Sequence, residues 1–250
     1  YNDLCLTTTT GEIAASLLAG ADDFVREPSA VVELSARLRA HLRVKRLVDA
    51  LHRVRSERDL LRRDAECDSL TGLMNRRALE RAVRTRVDGR ERFGVLFVDG
   101  DRFKQINDGY GHLVGDRVLV AISEMLRAGL RPGDAVGRYG GEEFVAIVAG
   151  AGPESARLVA ERLRRSIEEL PPFNPGPKRV TVSIGTAVFD PRSAEDVQSV
   201  FRRADLALYA AKRAGRNRVV MHTPECEEML ASADSSVRPS STLARAEEAG

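Results

Sequence analysis

The chain has 250 residues, enough for one sizeable domain and an appendage, and its 43% hydrophobic and 30% charged content is ordinary for a globular protein. Its 39 basic and 37 acidic residues nearly balance, which argues against binding to nucleic acid or to a membrane surface. It lacks an apolar run of membrane-spanning length, a signal-peptide pattern and a CxxC pair, so a cytoplasmic location is expected.

The first 66 residues predict two short strands and one long helix. The strands are expected at residues 4–6 and 23–26, with a helical segment around 13–18 between them, and a first residue other than Met suggests a piece of a longer protein. Residues 29–66 contain no Gly or Pro, which favours a continuous helix. Its apolar residues recur at alternating spacings of three and four, broken only by Arg58: Val44, Leu47, Leu51, Val54, Leu61 and Ala65. This pattern is typical of a coiled-coil seam, although a single amphipathic helix lying on its own domain would show it too.

Residues 67–222 alternate between strand and helix patterns. Strands are predicted at 93–98, 135–139, 144–148, 180–188 and 218–221, and helices at 113–130, 155–170 and 194–214. The hairpin expected around Gly140-Gly141 interrupts the βαβ alternation, so the sheet should be mixed and mainly antiparallel, with about five strands, and not doubly wound. Residues 223–250 lack periodicity and are predicted to be a disordered tail.

Acidic residues mark two turns of this predicted domain. Asp99 and Asp101 end a buried strand, and Glu142 and Glu143 follow the Gly-Gly turn. If the two strands are neighbours, three or four carboxylates converge and repel one another unless a hard cation neutralises them. Oxygen ligands of this kind suit Mg²⁺ or Mn²⁺ together with a nucleoside triphosphate. The alternative is that Asp99 caps a turn and the glycines merely form a hairpin.

Several segments, taken in order, resemble the GGDEF family of diguanylate cyclases. The signature lies in residues 138–144, where Gly140-Gly141-Glu142-Glu143-Phe144 has the Glu-for-Asp form. The other matching segments are 68–77, 99–108, 111–116, 183–185 and 209–217. The resemblance covers about three-fifths of the chain and implies a palm-like nucleotidyl cyclase sandwich of the α/β class, preceded by the long coiled-coil helix.

The resemblance also implies roles for individual residues. Asp99, the carbonyl of Gly100, Glu142 and Glu143 would hold Mg²⁺ or Mn²⁺, two ions per GTP site, and Glu142 would accept a proton. The substrate-binding residues would be Asn107, Asp116, Phe103, Lys104, His112, Lys212 and Arg216. Asn107 and Asp116 would read guanine, because an Asp accepts from its N1–H and N2–H₂ groups. Taken alone, Lys212 and Arg216 would be a solvated basic face, and Asp116 a charge at a helix start.

By the same resemblance, the chain would condense two GTP into cyclic di-GMP as a homodimer. Each subunit would bind one GTP, and the seam at residues 44–65 lies where it would impose the pairing. Arg131 and Asp134 form an RxxD at the spacing of the family's product-inhibition site, with Arg162 as a second arginine. Cyclic di-GMP is therefore expected to act as both product and inhibitor, although an RxxD in a loop is also a common turn.

The front end resembles the last third of a response-regulator receiver domain in residues 4–8 and 19–28. That family carries Lys just before the final proline, and this chain has Glu27 before Pro28, which puts a phosphorylation switch in doubt. The predicted organisation is a receiver remnant at 1–43, a coiled-coil linker at 44–66, the cyclase domain at 67–222 and the tail at 223–250.

Three other functions compete with an active cyclase. They are a GGDEF-like module that binds GTP or cyclic di-GMP without catalysis, a dimerisation device built on the long helix, and a cyclase for another purine nucleotide. The acceptable residues at every catalytic position favour activity, and Asn107 with Asp116 favours guanine.

Overall fold

The computed structural model describes residues 4–7, 15, 18–19, 23–26, 31–193 and 195–231. The chain separates into two compact units, Tyr1–Arg63 and Asp64–Gly250. The described part contains no helix that is both long enough and apolar enough to cross a membrane.

The first unit contains two short strands and most of a long helix. Strand β1 (Leu4–Thr7) pairs in parallel with β2 (Asp23–Arg26), as the sequence predicts, and helix α1 runs without interruption over Val31–Glu66. The helix predicted around 13–18 lies largely outside the described residues. Four residues of the predicted seam, Val44, Leu47, Leu51 and Val54, are at least half exposed. The boundary drawn between residues 43 and 44 falls inside α1, so no structural break marks it.

The second unit is built on a six-stranded sheet in the order β3-β5-β6-β4-β7-β8. The strands are β3 (Met74–Asn75), β4 (Phe93–Gly100), β5 (Ala135–Gly140), β6 (Glu143–Ala149), β7 (Val182–Phe189) and β8 (Val219–Met221). The helices are α2 (Arg76–Asp88), α3 (Phe103–Tyr110), α4 (His112–Ala128), α5 (Pro153–Glu168), α6 (Val197–Arg213) and α7 (Pro224–Ala231). The three central pairs are antiparallel and the two outer pairs parallel, which confirms the predicted mixed sheet.

Helices cover both faces of the sheet, and this explains why its central strand is apolar throughout. Phe93, Val95 and Phe97 of β4 pack with residues of α2 and α6, whereas Leu96 and Val98 pack with residues of α3, α4 and α5. Alternate side chains of a strand point to opposite faces, so a strand buried on both faces needs apolar residues at consecutive positions. The architecture is therefore a three-layer α/β sandwich.

Four elements were missing from the sequence prediction or wrong in it. Helices α2 and α3 and the two-residue edge strand β3 were not predicted. The prediction of a disordered tail is wrong for Pro224–Ala231, which forms α7. Cys226 of this helix is buried with Leu206 and Ala210 of α6, so a tertiary contact stabilises a segment whose own pattern is polar. Residues 232–250 lie outside the described residues.

Candidate active site

Two carboxylates face each other across neighbouring strands. Asp99 of β4 and Glu143 of β6 are directly paired, so their side chains project from the same face of the sheet. Both are buried, with 5% of Asp99 and 9% of Glu143 exposed. The sequence placed Asp99 at the end of its strand, but β4 continues through it to Gly100. The predicted meeting of the two acidic segments is therefore present, with Asp99 inside the strand rather than in a turn.

Burial raises the pKa of the Asp99 carboxyl to about 7, and the negative charges of Glu142 and Glu143 act in the same direction. The ammonium of Lys212 opposes this, because its Nζ lies 2.7 Å from Oδ2 of Asp99. An acidic group that is hard to ionise beside two others is the electrostatic signature of a site that binds positive charge. Lys212 supplies one such charge.

Lys212 reaches Asp99 because α6 packs unusually close to β7. A Cβ on Gly185 of β7 would overlap the carbonyl oxygen of Ala204 and the amide nitrogen of Leu208, both backbone atoms of α6. Only glycine permits this approach, which brings the last turn of α6 beside the carboxylates. Gly185 therefore has a packing reason to be a glycine.

The Gly-Gly turn is held by an arginine that the residue spacing did not single out. Gly141 has a positive φ of 35°, and its carbonyl accepts hydrogen bonds from Nε and Nη2 of Arg138, at 2.9 and 2.7 Å. Nη1 of Arg138 donates to Asp68, which also accepts from the amide and hydroxyl of Thr71. Partial burial raises the pKa of Asp68, but the bonds from Thr71 and Arg138 outweigh it and lower that pKa below its usual value.

A second arginine, Arg76, lies on the face of the sheet that carries Asp99 and Glu143. The guanidinium of Arg76 stands 4.5 Å from the centroid of the Tyr139 ring, and its Nε binds Oε1 of Glu80 at 2.8 Å. Burial raises the pKa of Tyr139, so this phenol stays protonated and donates to Glu80. Burial lowers the pKa of Arg76, but the Glu80 hydrogen bond, with a smaller contribution from the charge of Glu143, raises it overall. Arg76 was part of a motif in the sequence, but nothing in its spacing placed it here.

The predicted guanine-reading residues lie on adjacent helices. Asn107 is on α3 and Asp116 on α4, and both are half-buried. The chain reverses between the helices at Gly111, which has φ of +84°. A Cβ on Gly115 would overlap Oδ1 of Asn107, so the Asn107 amide lies directly against α4 and a larger residue at 115 would displace it. The structure thus brings this part of the predicted site together.

Two predictions near this segment need correction. The Phe103 side chain is 7% exposed and belongs to the core, so only its backbone remains for a substrate, whereas Lys104 and His112 are exposed. Asp101 does not join the carboxylate pair. It accepts hydrogen bonds from the hydroxyls of Thr181 and Ser183, at 2.7 and 2.6 Å, and is a structural residue.

The sequence predicted that Lys212 and Arg216 lie at one helix end, but Arg216 lies beyond the end of the helix. Helix α6 ends at Arg213, and Arg216 has a left-handed φ of +66°. It lines a cleft of about 430 Å³ together with Arg102 and Arg179. Lys212 and Arg216 therefore leave the same helix end, one toward Asp99 and the other toward this cleft.

The predicted inhibition residues form a compact loop. The Arg162 guanidinium donates to the carbonyl of Gly129 at 2.6 Å, so α5 contacts the loop that carries Arg131. The Asp134 side chain is only 3% exposed, and its two oxygens accept from the amides of Ala149 and Arg131. Asp134 therefore closes the turn with its own carboxylate, which is the alternative that the sequence left open.

The donor set of the carboxylate pair fits a hard cation. Carboxylate oxygens are the ligands that Mg²⁺ and Mn²⁺ prefer, and Asp99 and Glu143 supply them. In the described residues, no three or more His, Cys, Asp or Glu side chains are already gathered as a metal site. Lys212 stands where positive charge is needed, so binding a cation at Asp99 requires this ammonium to move aside.

Sheet order, paired carboxylates and the glycine turn together define an α/β domain of the nucleotidyl cyclase type. The chain belongs to the GGDEF family: residues 65–218 match the family described as diguanylate cyclase, GGDEF domain. It is 41% identical over 210 residues to the diguanylate cyclase DgcP of Pseudomonas aeruginosa, covering 81% of this chain and 31% of that one. It is also 38% identical to the diguanylate cyclase VdcA of Vibrio cholerae, covering 72% of this chain and 52% of that one.

A solved structure shows the same fold. It is the coiled coil and GGDEF domain of DgcB from Caulobacter crescentus in complex with c-di-GMP, with a TM-score of 0.64 and 33% identity. The similarity covers 73% of this chain and 98% of that one. The chain spans about a third to a half of the length of the two curated relatives above.

Proposed function

We propose that this chain binds GTP and condenses two molecules of it into cyclic di-GMP, releasing two pyrophosphates. The observation that carries the proposal is the pairing of Asp99 with Glu143 across adjacent strands, with Lys212 2.7 Å from Asp99. A buried group of negative charges beside a cation suits the binding of a metal–triphosphate complex. The family membership and the named activities of the relatives support the same reaction.

The residues divide the work by their positions. Asn107 and Asp116 bind the guanine edge from adjacent helices, and Lys212 and Arg216 hold phosphate oxygens from the end of α6. Asp99, Gly100, Glu142 and Glu143 would hold Mg²⁺ or Mn²⁺, for which we propose two ions per GTP. When bound, the metal would neutralise phosphate charge and make the attacking 3′-hydroxyl more acidic. Glu142, half-buried beside the turn, accepts the proton of that hydroxyl.

The reaction joins two substrates, so two subunits must meet. The 3′-hydroxyl of one GTP attacks the α-phosphate of the other, and the second bond forms in the same way. We propose that α1 pairs two copies through the seam of residues 44–65, because half or more of each of the Val44, Leu47, Leu51 and Val54 side chains is exposed in a single chain. Burying such a stripe in a partner helix removes apolar surface from water.

The first test is to incubate the purified chain with GTP and Mg²⁺ or Mn²⁺ and to detect cyclic di-GMP by mass spectrometry. A specific rate that rises with protein concentration supports both the chemistry and the dimer. Glu142→Ala should abolish turnover with the fold intact, and normal turnover by this variant would contradict the assigned role. A chain that binds GTP but forms no product, even when a strong dimeric coiled coil is fused in register, would support the nucleotide-binding alternative instead.

We also propose product inhibition at the loop that carries the RxxD sequence. Arg131 and Arg162 are exposed, and each donates from Nη2 to a backbone carbonyl, so their guanidinium groups keep further N–H donors for the phosphates of cyclic di-GMP. Arg131→Ala should raise the cyclic di-GMP concentration that halves activity. An unchanged inhibition curve would leave the loop a structural turn, the role that the Asp134 hydrogen bonds already explain.

The front end is proposed to be a receiver remnant at residues 1–43. The parallel pairing of β1 with β2 supports this, since receiver domains contain parallel strands. With Glu27 in place of the usual lysine, we expect a small phosphodonor such as acetyl phosphate to leave turnover unchanged. A clear activation by this phosphodonor would contradict that expectation.

A further inference from the structure

A buried charged network lies beneath the turn that carries Arg216. Arg164 of α5 is only 9% exposed, and all three nitrogens of its guanidinium are used. Nε and Nη2 bind Glu161, while Nη1 donates to Glu168 at 2.6 Å and to Oδ1 of Asn217 at 2.7 Å. Burying an arginine is unfavourable unless its donors find partners. Here two carboxylates and the Asn217 side chain supply them, so the fold can bury Arg164.

The Asn217 side chain is bound at both ends. Its Oδ1 accepts from Arg164 and its Nδ2 donates to Glu168 at 2.9 Å, while Arg179 binds the same Glu168 carboxylate. The backbone amide of Asn217 donates to Oδ2 of Asp101 at 3.0 Å. Asn217 thus joins the end of α5 to the segment that follows β4, the strand of Asp99.

The turn needs this support because its backbone is strained. Arg216 and Asn217 both have positive φ, at 66° and 46°, and neither is glycine. Left-handed residues other than glycine cost about 1 kcal/mol or more each and persist where surrounding contacts hold them. The Asn217 amide and side chain hold this turn together with two bonds of the Arg216 backbone, whose amide donates to Ala211 and whose carbonyl accepts from Nε of Arg218.

We propose that Arg164 and Glu168 are positioning residues, which fix Asn217 and through it hold Arg216 against the phosphates of bound GTP. This inference rests on the proposed function. It adds to that function a pair of residues that touch neither the substrate nor the metal. Without them the turn relaxes, and Arg216 leaves the wall of the cleft that it shares with Arg102 and Arg179.

The kinetics of Arg164→Gln and Glu168→Gln test the idea. Each should raise KM for GTP about tenfold, the size expected from one misplaced charge-assisted contact, and should leave kcat within about twofold. Arg165→Gln is the matched control, because Arg165 binds the same Glu161 but is exposed and makes no contact with Asn217. Arg164→Lys should recover part of the loss, since one ammonium can satisfy only some of the partners.

A double substitution separates positioning from general loss of structure. Asn217→Gly keeps the left-handed turn without the side chain and should raise KM by itself. In that background Arg164→Gln should add less than about twofold, because the link is already cut. The same tenfold rise in both backgrounds would overturn the inference. If Arg164→Gln does not fold, an unchanged KM for GTP in Asn217→Gly would overturn the inference instead.

Failure of the inference can be distinguished from failure of the proposed function. Suppose that the wild-type chain forms cyclic di-GMP and that the variants at positions 164 and 168 have the same KM for GTP as Arg165→Gln. This result would overturn only the positioning role. Wild-type chain that neither binds GTP nor forms product would overturn the proposed function and this inference with it.

Discussion

Replacing Gly185 with alanine would insert a methyl group into the backbone of α6. A Cβ at this position would overlap the Ala204 carbonyl oxygen and the Leu208 amide nitrogen, and would lie 2.7 Å from Cα of Leu208. The two nearest atoms would lie 2.1 Å from the Cβ and ordinary contacts begin at 3.4 Å, so α6 would have to move by about 1.3 Å. Backbone atoms in a helix cannot turn aside as a flexible side chain does.

The expected cost follows from this displacement. Overpacking a core costs about 1–3 kcal/mol, and we expect about 3 kcal/mol here because the clash is with main-chain atoms. The same shift would also affect the site. Lys212 is in the last turn of α6, and the proposed function assigns it to the phosphate oxygens of GTP. Because a misplacement of about 1 Å can cost on the order of 100-fold in rate, turnover should fall at least tenfold in whatever fraction remains folded.

Urea unfolding at 25 °C, followed by circular dichroism, measures the effect on the free energy of unfolding. Gly109→Ala is the matched control, because Gly109 lies in helix α3, its Cβ would meet nothing within 4 Å, and its φ is not positive. This control should gain about 0.5–1 kcal/mol, since alanine favours a helix more than glycine does. A Gly185→Ala protein within about 0.5 kcal/mol of wild type would refute the packing argument, because 0.5 kcal/mol is the ordinary effect of a surface change.

Three other predictions concern charge, the turn and the seam. In metal-free protein the folded state keeps the Asp99 proton up to a pKa of about 7, whereas the unfolded chain releases it near 3.8. Stability should therefore fall as pH rises between these values, and Asp99→Asn should flatten this part of the urea midpoint against pH. Arg138→Gln removes the bonds to the Gly141 carbonyl and to Asp68 and should lower kcat at least tenfold; unchanged kcat would mean that the turn holds itself. Val54→Glu, at a position 62% exposed, should shift the chain toward monomer in sedimentation while changing monomer stability by less than about 0.5 kcal/mol.

Local patterns predicted most of the long elements that bury an apolar face of their own. The strand containing Phe97 and the helix containing Leu119 have periodicities that identify them without tertiary information. Helix α7 has no such pattern, and among its described side chains Cys226 is the one buried against α6. The two-residue strand β3 is too short to have a period at all. Both elements depend on a neighbour for their stability. Helix α2 was missed for another reason, since it buries Leu79 and Val83 on a face of its own but its polar composition hid that spacing.

The candidate site divides along the same line. The order of the motifs in the sequence was enough to predict the family and to select the acidic residues Asp99 and Glu143. These predictions depend only on which residue types occur and at what spacing. Only the tertiary structure decided that Asp101 binds hydroxyls and that Asp134 closes its own turn. It alone placed Arg138 and Arg164 beneath the two turns that carry the site. The physical reason is that a side chain's chemistry is local, whereas its partner comes from a distant part of the chain and is set by packing.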